Sequence, residues 1–389
     1  MTVIKTSQRL FIIATICILW AIMPQNHILT DTATAQNVPT QATFDCTTVT
    51  EIPVSECEAL VAIYTWTGGF NWINSSGWLD TTTPCSWYRV DCTDGYVTGI
   101  RLDSNRLIGI LPAEVGNLTY LTNLSLHSNQ LRGELPLEIG NLTNLKTLYL
   151  SYNELRGGLP SEIGNLTNLT TLSLYGNQVN SIPSEIGNLS NVTTLRLYDN
   201  QLDSLPSAIG NMTNLTSLSV YNNQLTSIPP EVGNLFNLTT LSLYNNQLTS
   251  IPPELENLFY LSVLNLNDNQ LTSIPPELGN LFNLSELYLD NNQLTSVPSE
   301  LSNLAYLTKL SISNNQLTEI PSSLGSLSEL TELSLSENQL RSIPLELGNL
   351  SNLMYLRLQL NQLINIPVEI GDLSNLVQLY IYNNRLTSI

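Results

Sequence analysis

Histidine and basic side chains are scarce in this sequence of 389 residues. It contains two histidines, His27 and His127, and 13 lysines and arginines against 32 aspartates and glutamates, which gives a formal net charge of −19. Nucleic-acid backbones and anionic membrane surfaces attract basic proteins, so this balance argues against both as partners. A charge of this sign favours solubility and basic partners.

Sequence motifs of catalysis are also missing. There is no G-x-S-x-G turn, no H-E-x-x-H pair and no phosphate-binding loop. Histidine-dependent catalysis would depend on His127 alone, because His27 falls in a segment that secretion would remove. The sequence therefore predicts a protein that is not an enzyme and that uses no cofactor and no metal.

Long apolar runs are confined to the amino terminus. Lys5 and Arg9 precede an apolar run over residues 10–23, and "ATA" at residues 33–35 offers a small-residue cleavage site. This order predicts a secretory signal peptide over residues 1–35, with an uncleaved membrane anchor as the alternative. The run is short for a membrane span, and no other stretch qualifies. We therefore expect no membrane span after signal removal, and a protein that is secreted or on the extracellular surface.

Four cysteines remain once residues 1–35 are removed: Cys46, Cys57, Cys85 and Cys92. An even number, clustered at one end behind a secretion signal, predicts two disulfide bonds formed in an oxidising compartment. Zinc is the alternative, but the intervals of ten and six intervening residues do not match the common zinc spacings.

One phrase recurs along most of the chain. Its asparagine occurs thirteen times at an almost constant interval, which is one position longer up to Asn177 than after it: Asn105, Asn129, Asn153, Asn177, Asn200, Asn223, Asn246, Asn269, Asn292, Asn315, Asn338, Asn361 and Asn384. A period in this range, with leucines in the pattern L-x-x-L-x-L-x-x-N-x-L, indicates a leucine-rich repeat solenoid.

Each position of the phrase has a structural role, as in "LTTLSLYNNQL" at residues 238–248. Leu241 and Leu243 lie two residues apart, so both point into the core from one face of a short strand. A buried amide at Asn246 would satisfy backbone groups that otherwise cost about 1–3 kcal/mol each. The predicted fold is an α/β repeat solenoid, a leucine-rich repeat horseshoe with a parallel β-sheet on its concave face. It would cover residues 97–389 in about thirteen repeats of about 23–24 residues, the last one incomplete.

The sequence resembles the leucine-rich repeat family over residues 97–389. The first copies contain "RLIGILPAEVGNL" and "QLRGELPLEIGNL", with Gly109 and Gly133 before the Leu-Pro pair. These copies resemble the longer, plant-type class of repeat, as in plant receptor ectodomains and polygalacturonase-inhibiting proteins. From Asn177 the phrase shortens to forms such as "IPSEIGNL", which is widespread and has no functional association of its own.

Residues 36–96 differ from the repeats and predict an N-terminal cap that contains both disulfide bonds. Ser55 and Glu58 have the spacing of a capping box at a helix start, and Gly68 with Gly69 would end that helix. A stretch rich in tryptophan follows. We predict that four tryptophans cover the open apolar face of the first repeat, with an aromatic binding site as the alternative: Trp66, Trp72, Trp78 and Trp87.

The end of this segment resembles the plant-type cap, in which a helix is followed by C-x-W-x-x-V-x-C. The matching residues are Cys85, Trp87, Val90 and Cys92. The resemblance implies a Cys85–Cys92 bond and leaves Cys46 to pair with Cys57. The phrase "ALVAIYTWTGGFNWINSSGWL" looks more like the caps of secreted microbial repeat proteins.

Equal positions in successive repeats should form columns on the inner sheet, because neighbouring strands lie about 4.8 Å apart. One column places tyrosines in four consecutive repeats: Tyr175, Tyr198, Tyr221 and Tyr244. The column beside it adds Tyr149 and Arg196 among serines. Tyrosine is enriched at binding hot spots, so we predict that these residues bind a ligand. The alternatives are a ladder that only stabilises the sheet and a tyrosine copied by duplication.

Acidic residues collect on the predicted inner face toward the carboxyl end. They are Asp268, Glu286, Asp290, Glu332 and Glu337, and Lys309 alone opposes them. We predict that Asp268, Glu286 and Asp290 extend the ligand-binding surface toward a basic partner. The alternatives are solvated charge and a weakly held Ca²⁺.

A second surface is predicted away from the inner sheet. Phe236, Phe259 and Phe282 occupy a position that other repeats fill mostly with threonine or serine. Three aligned phenylalanines predict an apolar stripe for self-association, with partial burial between repeats as the alternative.

These features together predict a secreted or cell-surface, non-catalytic recognition module that binds a protein, peptide or glycan on the concave sheet. The resemblance to polygalacturonase-inhibiting proteins implies an alternative, an inhibitor of secreted hydrolases. Because the sequence stops in mid-repeat at "NNRLTSI", an N-terminal fragment of a larger receptor, adhesin or enzyme is a further alternative.

Overall fold

The computed structural model describes residues 44–387. The predicted signal peptide over residues 1–35 lies outside these residues, as does the beginning of the predicted cap. Within the described part of the chain, none of the helices combines the length and apolar character needed to cross a membrane.

Short strands recur along the solenoid, two in each of the first repeats and one in each later repeat. In chain order the strands are β1 (Val90–Thr93), β2 (Tyr96–Arg101), β3 (Ile108–Gly109), β4 (Asn123–Ser125), β5 (Gln130–Gly133), β6 (Thr147–Tyr149), β7 (Glu154–Gly158), β8 (Thr171–Ser173), β9 (Gln178–Ser181), β10 (Thr194–Arg196), β11 (Ser217–Ser219), β12 (Thr240–Ser242), β13 (Val263–Asn265), β14 (Glu286–Tyr288), β15 (Lys309–Ser311), β16 (Glu332–Ser334), β17 (Tyr355–Arg357) and β18 (Gln378–Tyr380).

Fourteen of these strands form one sheet, the inner sheet, in the order β1, β2, β4, β6, β8 and then β10 to β18. β1 pairs with β2 in antiparallel fashion, and every later neighbour pairs in parallel at equal repeat positions, as at Leu218, Leu241 and Leu264. The parallel sheet of the predicted leucine-rich repeat solenoid is thereby confirmed. The columns read from the sequence are real rows of neighbouring side chains.

A second, smaller sheet contains β3, β5, β7 and β9, and so forms only in the first repeats. Gly109 in β3 has φ of +132°, and a Cβ atom there would lie 2.0 Å from the carbonyl oxygen of Trp66. The glycine before the Leu-Pro pair is therefore required where β3 passes the end of the cap helix.

Short 3₁₀-helices, rather than α-helices, form the side opposite the inner sheet. In the repeats they span Ala113–Asn117, Leu137–Asn141, Ser161–Asn165, Ser184–Asn188, Ser207–Asn211, Pro230–Asn234, Pro253–Asn257, Pro276–Asn280, Ser299–Asn303, Ser322–Ser326, Leu345–Asn349 and Val368–Asp372. Three more lie in the cap, at Cys46–Thr48, Gly69–Asn71 and Pro84–Ser86. A proline with extended backbone, such as Pro252, precedes each repeat helix. Proline suits the point where the chain passes from extended backbone into a helix, because its φ is fixed and it has no N–H that needs a partner.

The repeated asparagines join one repeat to the next. The Asn246 Nδ2 donates hydrogen bonds to the carbonyl oxygens of Val220 and Leu243, both at 3.0 Å, and its Oδ1 accepts the backbone N–H of Leu225 at 3.0 Å. Equivalent bonds recur from Asn129 to Asn384. The asparagine column is structural, as predicted.

The disulfide-bonded helical cap is confirmed, with bonds Cys46–Cys57 and Cys85–Cys92. Its helix α1 spans Val54–Trp66. The predicted capping box was wrong, because the helix begins directly after Pro53 and no side chain caps it. Ser55 therefore lies inside the first turn instead of before it.

Aromatic side chains fill the cap, and three of the four predicted tryptophans are among them. Trp78 packs against Trp72 and Trp87 with ring centroids 4.9 and 5.1 Å apart, and all three are buried. The prediction was wrong for Trp66, which is 52% exposed. It is the last residue of α1, where its backbone meets β3 while its ring faces solvent.

A buried carboxylate, missed by the sequence analysis, connects α1 to the inner sheet. Glu56 is 2% exposed and accepts the backbone N–H of Val97 at 2.7 Å. Burial raises the pKa of Glu56 above its ordinary value, and the hydrogen bond from Val97 opposes this only in part.

The buried Glu56 carboxylate should make the free energy of unfolding depend on pH. A raised pKa means that the folded state binds the proton more tightly than the unfolded state, so this contribution is full in acid and is lost as pH rises through the raised pKa. Glu56→Gln should therefore unfold at a higher guanidinium concentration than the wild type near pH 8, with the advantage vanishing near about pH 4. An advantage that is the same at both pH values would contradict the assignment.

Candidate ligand-binding surface

Four tyrosines form a continuous stack along the inner sheet, here called the tyrosine ladder. Tyr175, Tyr198, Tyr221 and Tyr244 follow β8, β10, β11 and β12, and their ring centroids lie 4.3, 4.3 and 4.2 Å apart. The planes differ by 14°, 12° and 12°. Parallel strand pairing brings equal positions together, so the rings meet face to face and their edges and hydroxyl groups face outward.

A fifth tyrosine ends the ladder and was missed in the sequence. The Tyr152 ring packs edge-on against Tyr175 at 4.9 Å and 83°. Tyr152 belongs to the next column, in which the following repeat has Gly176. Because Gly176 has no side chain, the Tyr152 ring can lie over it; a Cβ atom on Gly176 would be 2.7 Å from that ring. A glycine beside a tyrosine column was the available signal.

Burial in the ladder changes the acidity of the phenols. It raises the pKa of Tyr198 to about 12, with a further rise from the neighbouring Tyr175 phenol, and it raises the pKa of Tyr221 as well. These hydroxyls therefore stay protonated at physiological pH and can donate hydrogen bonds to a ligand.

A second ladder fixes the backbone beside the tyrosines. Asp199, Asn222 and Asn245 have φ between +52° and +54°, the left-handed region that Asp and Asn tolerate best. The Asn222 Nδ2 donates to Asp199 at 2.5 Å, and the Asn245 Nδ2 donates to Asn222 at 2.8 Å. These bonds fix the turns that follow Tyr198, Tyr221 and Tyr244.

Arg196 and Tyr149 lie in the neighbouring column, where the sequence placed them. Arg196 is exposed next to the tyrosine ladder, and within residues 44–387 no carboxylate lies within salt-bridge distance of it. Between them, Ser173 is buried and shares a hydrogen bond of 2.7 Å with Ser151. The surface beside the rings is thus small and polar, with one unpaired cation.

Most acidic residues of the inner face already have partners in the protein. Asp290 accepts hydrogen bonds from the Ser311 hydroxyl at 2.7 Å and from the Ser313 N–H at 2.6 Å, while burial raises the pKa of Asp290. Glu286 binds Lys309 at 3.4 Å and accepts the Tyr288 hydroxyl at 2.7 Å.

Two more of these acids are also paired. Asp268 accepts a hydrogen bond of 2.7 Å from Asn291. The expectation that Lys309 alone opposes the acids was wrong, because Arg357 pairs with Glu332 from the adjacent strand β17. The Arg357 side chain is long enough to reach the neighbouring strand, and a comparison of equal repeat positions does not take side-chain length into account.

Family comparisons agree with this geometry. A model of the leucine-rich repeat region matches residues 139–242, 171–267 and 230–342, and a single-repeat model matches residues 120–142. The chain belongs to the leucine-rich repeat family. Its repeats, inner sheet and asparagine column are those of that family.

Solved structures similar to this leucine-rich repeat protein come from bacteria and plants. A leucine-rich repeat protein of Leptospira interrogans is 39% identical with a TM-score of 0.62, and the match covers 74% of this chain and 79% of that one. An internalin of Listeria monocytogenes is 30% identical with a TM-score of 0.63, over 75% and 82%.

A plant receptor has the same architecture. The ectodomain of the Arabidopsis receptor kinase HAESA, solved in complex with an N-terminally extended IDA peptide hormone ligand, is 33% identical with a TM-score of 0.63. The match covers 79% of this chain and 53% of the receptor chain, so this chain spans about half of it. The fold is thus related to those of peptide-hormone receptors and bacterial internalins.

Proposed function

We propose that this leucine-rich repeat protein is a non-catalytic recognition module, secreted or on the cell surface, that binds a protein or peptide on its inner sheet. The tyrosine ladder is the observation that supports it. Two disulfide bonds and the likeness to a receptor ectodomain support an extracellular setting. The peptide held by HAESA supports the ligand class.

The packing of the rings favours a protein or peptide over a glycan. A sugar stacks on the free face of an aromatic ring, but in the tyrosine ladder neighbouring rings cover most faces, at 4.2 to 4.3 Å. What remains is a row of ring edges and protonated hydroxyls. Such a row suits a backbone with regularly spaced carbonyl groups, and rigid tyrosines lose little entropy on binding.

Charge sets the orientation of the proposed ligand. Arg196 is an unpaired cation beside the ladder, so it would attract an acidic group of the ligand. Asp268, Glu286 and Asp290 have partners in the protein and form the carboxyl-terminal edge of the proposed surface. Tyr149 adds an aromatic side chain at the other edge.

A displayed random-peptide library provides the probe. Peptides selected on the wild-type protein should bind Tyr198→Ala/Tyr221→Ala at least about 30-fold more weakly, since hot-spot residues contribute about 2 kcal/mol or more. Tyr198→Phe/Tyr221→Phe keeps the rings and removes only the hydroxyls, and should lose about tenfold. Calorimetric titration measures both.

Tyr382 provides the matched control, because it is an exposed tyrosine of the same column outside the ladder. Tyr382→Ala should leave the affinity within about twofold. Selected peptides that bind the double alanine variant as tightly as the wild type, with its circular dichroism unchanged, would move the binding surface elsewhere. The hydrolase-inhibitor and fragment alternatives stay predictions. Assays of purified pectinases and glycosidases with the protein would test the first.

A further inference from the structure

Five aromatic side chains form a patch on the flank of the solenoid, away from the inner sheet. The three aligned phenylalanines of the predicted apolar stripe are joined by two tyrosines, and all five side chains are 49–63% exposed: Phe236, Phe259, Tyr260, Phe282 and Tyr306. Phe259 and Tyr260 meet edge to face at 5.3 Å. We call this set the flank stripe. It spans four consecutive repeats just before strands β12 to β15.

The tyrosines of the flank stripe replace a structural asparagine. In neighbouring repeats the Asn237 Nδ2 donates to the Thr213 carbonyl oxygen at 2.9 Å, and the Asn283 Nδ2 donates to the Phe259 carbonyl oxygen at 2.6 Å. Tyr260 and Tyr306 occupy the same position and make no such bond. Twice within four repeats, a hydrogen bond between repeats has been given up for an exposed ring, which stability of the solenoid alone does not explain.

The flank stripe is also free of charge. Residues 234–240, 257–263, 280–285 and 303–308 contain no acidic or basic side chain, although the whole chain has a net charge of −19. Two copies of so acidic a protein repel each other over most of their surface. The stripe itself brings no carboxylate into the contact, and Glu256, which accepts a hydrogen bond from Asn280 at 2.8 Å, lies at its border.

The exposed area is sufficient for a pair of copies. An aromatic side chain presents about 150–250 Å² when fully accessible, so five half-exposed rings offer roughly 500 Å². Burial on two copies would remove about 1,000 Å² in total, which is the threshold of a specific interface. A two-fold axis near Phe259 and Tyr260 would set each end of the stripe against the opposite end of its copy.

We infer that the flank stripe is the interface of a homodimer. The stripe lies outside the inner sheet, so both copies would keep the tyrosine ladder open. Screening by salt reduces the repulsion between the copies, so dimerisation should strengthen as sodium chloride is raised.

Sedimentation velocity of the secreted protein over micromolar concentrations tests this. The variant Phe236→Thr, Phe259→Thr, Phe282→Thr, Tyr260→Asn and Tyr306→Asn restores residues used by other repeats, so it should fold, as its circular dichroism would show. We expect the wild type to dimerise and the variant to dimerise at least 100-fold more weakly. Leu345→Ser removes an exposed apolar side chain elsewhere and should not change the dimer.

A single cysteine locates the contact. Phe259→Cys should give a disulfide-linked dimer on mild oxidation, while Leu345→Cys should not. A wild type that stays monomeric at all concentrations and salt levels would overturn the inference, as would a dimer that the fivefold variant leaves intact.

Discussion

Asn246→Ala is expected to lower the free energy of unfolding by roughly 3 kcal/mol or more. The substitution removes four hydrogen bonds and leaves the Leu225 N–H buried without a partner, while the carbonyl oxygens of Val220 and Leu243 keep their bonds from Asn223 and Asn269. The orphaned N–H costs about 1–3 kcal/mol, and each of the other lost hydrogen bonds costs about 1 kcal/mol. Asn246 lies in the middle of the solenoid, so the loss weakens the interface with the preceding repeat at a point where both halves of the stack depend on it. Guanidinium unfolding followed by circular dichroism measures the change.

Gln247 is the control for this substitution. It follows Asn246 directly, its side chain is exposed, and Gln247→Ala should change stability by no more than about 0.5 kcal/mol. Equal unfolding midpoints for the two variants would show that the asparagine column is not what joins the repeats.

Trp78→Ala should have an effect of similar size at the other end of the molecule. The Trp78 ring is buried between Trp72 and Trp87, and its Nε1 donates to the Tyr88 carbonyl oxygen at 3.0 Å. Removing a buried tryptophan costs about 3–5 kcal/mol. The cap should loosen first, because each unit of a solenoid depends on its neighbours, and limited proteolysis should then cleave within residues 44–96.

Trp66 supplies the matched control, since it is the exposed tryptophan of the same cap. Trp66→Ala should change stability little and leave the proteolysis pattern as it is. A loss of stability as large as that of Trp78→Ala would mean that the surface of α1, and not the aromatic cluster, holds the cap to the repeats.

The fold could be predicted from the sequence because the same repeat occurs thirteen times and each copy adopts the same geometry. A constant spacing places Tyr198, Tyr221 and Tyr244 on adjacent strands whatever the details of each turn. The asparagine bonds follow from the same regularity, whereas the disulfide partners were implied by the resemblance to the plant-type cap.

Features that break the period were not predicted. Tyr152 reaches the ladder from the wrong column because Gly176 makes room for it. Arg357 reaches Glu332 across a strand, and Trp66 turns outward because its carbonyl, and not its ring, meets β3. Each of these features depends on the length of a side chain or on where a helix ends. Neither can be read from which residue type occupies a repeat position.

The tyrosine ladder has a consequence for how such a protein changes over generations. Because every rung comes from one repeat unit, an in-frame duplication of residues 223–245 would insert one more rung and leave the older ones in contact. The ladder can therefore lengthen only by whole rungs, one for each repeat that is duplicated. A longer partner could be accommodated by copying a module, without redesigning any existing contact.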